Sequence, residues 1–378
     1  MDRPSIVLIG PWNFHSGAGE ACRGNLRALS ILQDRYSIHA MGLQHYGPHR
    51  LFSSVSPSLP GPECSPEVVI IHLNPDMAPS LLSQKQRHVI QRARHRIGFW
   101  VWENLQVPHG WTKAFGWIDS LWVPSRYCEE LFSGLSSLPI DVIPHVITVD
   151  DQPLANDLLS SSESHGTILY AFDGASYLRR KNPAALIRAF HHSGLARQGW
   201  RLILKTKNFE PAGYDSNSYE DFMLSLQQLR SVFPDSVEMV TADLDDAEFK
   251  VLMRSVDIYA SPHASEGFGL TIAEAMAAGV LVVATDYGGS CDLLDRTTGF
   301  PVCFELIAEE IGYGSYQECC VWARIDEHHL AECLCQAALL CRQEEGLHFR
   351  ENARRKVMQR CGVEAVAERM ATALNRIC

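Results

Sequence analysis

Two glutamates, Glu266 and Glu274, bracket a glycine-bearing turn in the stretch Ser-Pro-His-Ala-Ser-Glu-Gly-Phe-Gly-Leu-Thr-Ile-Ala-Glu-Ala-Met-Ala-Ala-Gly at 261–279. The residues before it, 256–260, read as the end of a strand. Val280-Leu-Val-Val-Ala284 after it reads as a buried strand. Between them, Gly267 and Gly269 open a loop onto an alanine-rich helix. A loop that feeds a helix presents backbone N–H groups and the positive end of the helix dipole, and phosphate suits that end. Two carboxylates cannot hold phosphate. They suit groups that donate hydrogen bonds, such as sugar hydroxyls.

A second candidate group lies upstream. The strand expected at 168–172 runs into Asp173-Gly-Ala-Ser-Tyr-Leu-Arg-Arg-Lys-Asn-Pro. Pro183 suits the first helical position and Asn182 an N-cap. Arg179, Arg180 and Lys181 are therefore expected in a loop at a strand's carboxyl end, where cations grip a pyrophosphate. Taken alone, the run reads equally well as a solvated basic loop. Lys205 and Lys207 follow the next strand and add cations at the same sheet edge. Each carboxylate has an ordinary alternative. Thr271-Ile-Ala-Glu274 matches a capping box, and Glu266 fits an exposed loop. A lone histidine such as His263 is by default a satisfied structural residue.

Other motifs carry less. Ser16-Gly-Ala-Gly-Glu lacks the full dinucleotide fingerprint, because Cys22 stands at the third glycine. There is no Gly-Lys-Ser/Thr phosphate loop. Asp243-Leu-Asp245 has a metal-binding look, but Asp245 and Asp246 precede a helix and read as caps. Of the 12 cysteines, most crowd the C-terminal third. Cys319-Cys320 and Cys333-Leu-Cys335 lack the spacing of zinc sites. A metal cluster with His328 and His329 is disfavoured against thiols filling core positions on a helix at 327–342.

The elements that must position these residues alternate between strand and helix. Strands are expected at 6–9, 37–41, 68–72, 96–102, 120–123 and 140–143. Residues 10–20 read as a glycine-bearing loop, 21–32 and 79–94 as helices, 111–115 as a short helix, and 45–66 as a long insertion. Residues 148–166 are polar and read as a linker. Alternation then restarts with strands at 168–172, 201–205 and 237–241 and helices at 183–192, 216–232 and 246–255. A helical segment begins at 328, and 363–377 is amphipathic. This pattern predicts two α/β units with mainly parallel sheets, a ligand in the cleft between them, and boundaries at 1–158 and 159–378. At 378 residues, 46% hydrophobic and 20% charged, the chain has an ordinary globular composition. Its net charge of -11 speaks against nucleic acid as a partner. No apolar run reaches spanning length, and residues 1–9 lack a signal peptide's features. A cytoplasmic location is expected, with peripheral association at a membrane's inner face left open.

Together these residues resemble the retaining glycosyltransferases of family 4, which have the GT-B fold. Glu266-Gly-Phe-Gly-Leu-Thr-Ile-Ala-Glu274 matches that family's E-x7-E motif, between Ala260-Ser-Pro-His and Ala275-Met-Ala-Ala-Gly, with Ala284-Thr-Asp-Tyr-Gly-Gly further on. Arg180-Lys181-Asn-Pro matches its diphosphate-gripping element. Ser16-Gly-Ala-Gly-Glu-Ala resembles its N-terminal glycine loop. Phe99-Trp-Val-Trp-Glu103 followed by Trp122-Val-Pro-Ser-Arg126 looks like a subgroup of polysaccharide-building clusters.

The resemblance implies two Rossmann-like domains facing each other, with the acceptor on the N-terminal one and a nucleotide-sugar donor on the C-terminal one. The last helix, at about 363–378, is expected to pack on the N-terminal domain. It implies catalytic roles for Glu266, Arg180 and Lys181, and ribose contact by Glu274. Donor contacts fall to Gly267, Phe268, Gly269, Leu270, Ser176, Lys205, His263 and Gly17. Glu103, His15 and Gly19 would meet the sugar or acceptor. No cofactor or metal is implied. The donor is a UDP-hexose or GDP-mannose, and the acceptor a glycan, lipid-linked or other hydroxyl. The chain departs from the pattern where Phe99-Trp-Val-Trp-Glu stands in place of a sugar-facing histidine. Arg180 and Lys181 are also adjacent rather than spaced, which leaves the choice between Arg179 and Arg180 open. Sugar-nucleotide epimerases and phosphorylases of the same fold are the enzymatic alternative, and a non-catalytic binding protein the other.

Overall fold

The computed structural model describes residues 3–47, 49–51, 65–149, 166–174, 176–207, 216–310, 316 and 319–378. Most of the linker expected at 148–166 and the body of the insertion expected at 45–66 lie outside these residues. The chain forms two compact units. The first is Met1–Thr148 with Gly314–Gln317 and Met358–Cys378, and the second is Val149–Tyr313 with Glu318–Val357.

The first unit begins β1 (Ser5–Gly10), α1 (Gly17–Ile31), β2 (Ser37–Gly42) and β3 (Val68–Ile71). It continues with α2 (Ala78–Leu81), α3 (Gln84–Arg92), β4 (His95–Phe99) and a 3-10 helix at His109–Trp117. β5 (Ser120–Val123), α4 (Arg126–Ser133) and β6 (Ile140–Val142) complete the sheet. Its strands are parallel in the order β2-β1-β3-β4-β5-β6. Alternation along β1 sends Ile6 and Leu8 to one core and Val7 and Ile9 to the other. Both faces are covered, so the strands read as continuous apolar runs.

Two expectations here need correction. Residues 17–20 are not loop, because Ser16 caps α1 and its Oγ accepts from the Gly19 amide at 2.9 Å. A Cβ at Gly19 would sit 2.1 Å from the Phe14 carbonyl, so the entry into α1 requires glycine there. The helix expected at 79–94 is two helices. Ser83 and Gln86 form a capping box that starts α3 afresh.

The second unit holds β7 (Thr167–Asp173), α5 (Leu178–Lys181), α6 (Pro183–His192), β8 (Arg201–Lys207), α7 (Ser216–Val232) and β9 (Val237–Val240). Then follow α8 (Asp246–Arg254), β10 (Ile258–Ser261), α9 (Leu270–Ala277), β11 (Leu281–Thr285) and β12 (Phe300–Val302). Its sheet is parallel in the order β12-β11-β10-β7-β8-β9. An antiparallel hairpin, β13 (Phe304–Glu310) with β14 (Cys319–Ile325), has no counterpart in the sequence expectations. The chain ends with α10 (Glu327–Leu340), α11 (Glu344–Cys361) and α12 (Val363–Leu374). Val366, Met370 and Leu374 of α12 join the first unit's core beside Leu29 of α1. Two parallel six-stranded sheets with flanking helices make the two-domain, Rossmann-like plan of the GT-B fold.

Candidate functional site

The second sheet winds outward from β7 through β8 and β9 on one side, and through β10, β11 and β12 on the other. The carboxyl ends of β7 and β10 therefore meet at a topological switch point, where ligands bind in such sheets. Both candidate groups sit there. β7 leads into α5, which carries Arg179, Arg180 and Lys181. β10 leads into the loop of His263, Glu266, Gly267, Phe268 and Gly269, and then into α9.

Arg179, Arg180 and Lys181 occupy one helical turn rather than a loop. Asn182 ends that turn in the left-handed region at φ 51°, and its side chain caps nothing on α6. Two bonds fasten the turn: Tyr170 Oη donates to Lys181 O at 2.6 Å, and Ala264 N to Arg180 O at 2.7 Å. The three cations then diverge. Arg179 Nε donates to Glu309 Oε2 at 3.0 Å on β13. Arg180 lies 3.3 Å from Glu266 Oε2 and donates from Nη1 to Ser265 O at 3.2 Å. Lys181 pairs with the other oxygen of Glu266.

Glu266 is thus clamped by two cations while its side chain is only 16% exposed. Burial alone would raise its pKa, but Lys181 and Arg180 outweigh that and hold it at about 2. It is a fixed carboxylate that only accepts hydrogen bonds. The loop lies on two further glycines. At Gly288, φ is +88° and a Cβ would come within 2.4 Å of Glu266 O. A Cβ on Gly289 would fall 2.0 Å from Gly267 O, and the Gly289 amide donates to Glu266 O at 2.7 Å. This bed was visible in the sequence only as the Gly-Gly pair after β11.

His263 is fully buried and braces the loop. Nε2 donates to Tyr287 O at 3.0 Å, and Nδ1 lies 3.1 Å from Ser261 Oγ. Burial pushes its pKa down, so the imidazole is neutral with both nitrogens engaged in the fold. That geometry ties the end of β10 to Tyr287.

Gly269, at φ 82°, is the N-cap of α9 and makes no side-chain cap bond. The capping-box alternative for Glu274 fails, because Glu274 lies a full turn into the helix and Thr271 is not the cap. Thr271 Oγ1 instead accepts from Tyr259 Oη at 2.7 Å. Leu270 and Glu274 are half-buried and Phe268 is buried. Ser176 precedes α5, with its amide donating to Asp173 O at 3.0 Å. Lys205 is buried at the end of β8, and burial together with Lys207 pushes its pKa down. Asp245 is the N-cap of α8 in a capping box with Glu248. Among the described residues no group of three His, Cys, Asp or Glu side chains is gathered as metal ligands.

The remaining candidates belong to the first unit. Gly17 is exposed in the first turn of α1, and Gly19 is buried there. His15 is half-buried, with its amide donating to Arg50 O at 2.9 Å. Glu103 accepts from the Tyr316 hydroxyl, and its carbonyl accepts from Tyr127 Oη at 2.7 Å. Tyr316 also stacks on Trp102, with ring centroids 5.3 Å apart. No sequence signal pointed to Tyr316, which lies far along the chain.

Residues 169–311 match the family described as glycosyl transferases group 1. The sucrose synthase of Melioribacter roseus is 26% identical over 162 residues, covering 39% of this chain and 20% of that protein. The match thus spans about a fifth of the length of that curated relative. A sucrose-phosphate synthase structure from Thermosynechococcus elongatus is similar at a TM-score of 0.65 and 16% identity, covering 99% of both chains. An Anabaena protein in complex with UDP and glucose is similar at 0.62 and 13% identity, covering 99% of this chain and 100% of its own. Residues 169–311, in the second unit, are thus similar to the glycosyl transferases group 1 family, within a chain whose two-domain plan is that of the GT-B fold.

Proposed function

We propose that the protein is a retaining, metal-independent glycosyltransferase. It would move a hexose from a UDP-hexose or GDP-mannose to a hydroxyl of a glycan or lipid-linked acceptor. One observation carries this reading. Arg180 and Lys181 from the β7 side and Glu266 from the β10 side meet at the switch point, beside the uncapped start of α9.

Chemistry follows from charge. Breaking the bond from sugar to diphosphate builds negative charge on the leaving group, and two fixed cations stabilise it as it forms. They take the place in which many transferases use a divalent ion. The helix start and the Gly267–Gly269 loop suit the diphosphate. Glu274 accepts from ribose hydroxyls. Glu266, kept ionised, accepts from hydroxyls of the transferred sugar. In the absence of donor its two cations are paired with it, so donor binding shares them between carboxylate and phosphate. The leaving phosphate deprotonates the acceptor on the same face, which retains the anomeric configuration without a protein nucleophile. In the first unit, Gly17 is proposed for the donor and His15, Gly19 and Glu103 for the sugar or acceptor. A carboxylate has about four acceptor positions, so Glu103 can serve a hydroxyl while keeping Tyr316.

The test is nucleotide release from UDP-, GDP- and ADP-sugars in EDTA, with and without glycan acceptors, and NMR assignment of the product anomer. Turnover with a retained anomer supports the reading, and an inverted product ends its mechanism. Donor binding by calorimetry without turnover would leave a binding protein instead.

A further inference from the structure

The first unit has an apolar groove that the transferase reading does not use. Its origin is topological. The crossover from β4 to β5 carries a 3-10 helix, His109–Trp117, in place of a full α-helix, and the one from β3 to β4 carries the short α2 and α3. Between them a cavity of about 310 Å³ stays open over the sheet. Ile71, Trp100 and Ile118 line it, with Leu82 and Ile90 from the α2–α3 side. Trp117 also lines it while remaining 54% exposed. That size lies at the lower end of small-molecule sites.

The surroundings carry a charge signature. Residues 77–102 contain Lys85, Arg87, Arg92, Arg94 and Arg96 and no acidic residue, in a chain of net charge -11. Arg94 is paired with Glu67 and Arg96 with Asp119. Lys85 and Arg87 on α3 are exposed, as is Lys113 on the 3-10 helix. Asp76 is the one acidic residue within 68–102. Arg87 belongs to the groove's lining, with Nε donating to Leu82 O at 3.1 Å. A guanidinium has five donors, so others remain for a phosphate.

We propose that this groove takes an acyl chain of an anionic lipid and seats the first unit on an anionic bilayer. The apolar lining receives the chain. The exposed indole of Trp117 at the groove suits the membrane interface, which indole rings favour. Lys85, Arg87 and Lys113 meet the headgroup phosphates, as basic residues do at anionic surfaces. The inference rests on the first unit alone and stands whether or not the second unit transfers sugar.

Cosedimentation of the full chain with phosphatidylcholine vesicles, with and without phosphatidylglycerol, tests it. Wild type should sediment with the anionic vesicles and stay in solution with the neutral ones. Lys85→Gln with Lys113→Gln should weaken partitioning about thirtyfold, and Trp117→Ala about tenfold. Gly116 lines the groove, and a Cβ there meets nothing within 4 Å. Gly116→Gln therefore places a polar side chain at the groove without strain and should also weaken binding about tenfold. Circular dichroism and melting of each variant verify the fold. Failure of wild type to sediment overturns the proposal, as does equal binding to both vesicle types. Binding lost in high salt yet unchanged by Gly116→Gln and Trp117→Ala is adsorption by charge alone, and it overturns the groove assignment.

Discussion

Each sheet has a switch point, and the two differ in how the helix start is capped and where the charges go. In the first unit it lies between β1 and β3. There the chain enters α1 through Ser16-Gly-Ala-Gly19, and Ser16 supplies the cap. Charge is present there too, but it is spent within the fold: buried Arg23 pairs with Glu20 at 2.7 Å and donates to Trp12 O and Phe14 O, beside a cluster of neutral rings. His72 is buried and stacked on Phe99 at 4.4 Å, with burial holding its pKa at about 4, and His145 stacks on Phe99 at 5.5 Å, with its ring 6.0 Å from that of His72. In the second unit the chain enters α9 through Gly267-Phe-Gly269 with no side-chain cap, and three charged groups crowd the strand ends. Two similar folds thus spend their helix starts differently. One satisfies its own amides with a serine, and the other leaves the cap position to glycine beside fixed cations.

Lys181→Ala should break the contrast most severely. Removing one of the two cations from the diphosphate should cut kcat/KM about a thousandfold, read as nucleotide release, while circular dichroism shows a folded chain. If the loss is below tenfold, the cations are structural partners of Glu266. Glu274→Ala should raise the donor Kd about tenfold to a hundredfold by calorimetry, the worth of hydrogen bonds to a charged group. Its melting temperature should hold near wild type, because no capping box with Thr271 is present to be lost. A large drop in melting temperature with unchanged donor affinity would reverse that assignment.

The pH dependence sharpens the comparison further. The folded pKa of Glu266 is about 2, below its ordinary 4.5. The fold therefore favours the ionised form. Its stabilisation is complete above pH 4.5 and is lost as pH falls toward 2. Denaturant unfolding across that window should show a smaller decline for Glu266→Gln than for wild type. Equal slopes would mean that the clamp does not set the carboxylate's charge. The smallest effect belongs to the first unit. Ser16→Ala should cost about 1 kcal/mol of stability, the worth of an N-cap, and leave donor affinity in place. A matching fall in donor affinity would mean that the Ser16 hydroxyl, and not only the Gly17 backbone, serves the ligand.

Much of this was legible in one dimension. Strand and helix alternation, the glycine turn at 267–269 and the basic run at 179–181 all lie in local patterns, because period and cap chemistry act over a few residues. Other features were hidden because they join distant segments. Arg179 and Arg180 are adjacent and chemically alike, yet the hairpin's Glu309 takes one and Glu266 holds the other. His263 could have pointed anywhere until Ser261 and Tyr287 engaged both its nitrogens. The Gly288-Gly289 pair gained meaning only when the Glu266 loop came within 3 Å of it.

By itself, then, the sequence determined which residue types were on hand at each strand end and that two parallel α/β units would form. Hydrophobic period and turn residues encode those directly. Tertiary structure alone decided which carboxylate meets which cation, and that Thr271 and Glu274 do not form a capping box. The physical reason is that ion pairs and packing depend on distance in space. Strand order in the sheet, which places β7 beside β10, sets that distance.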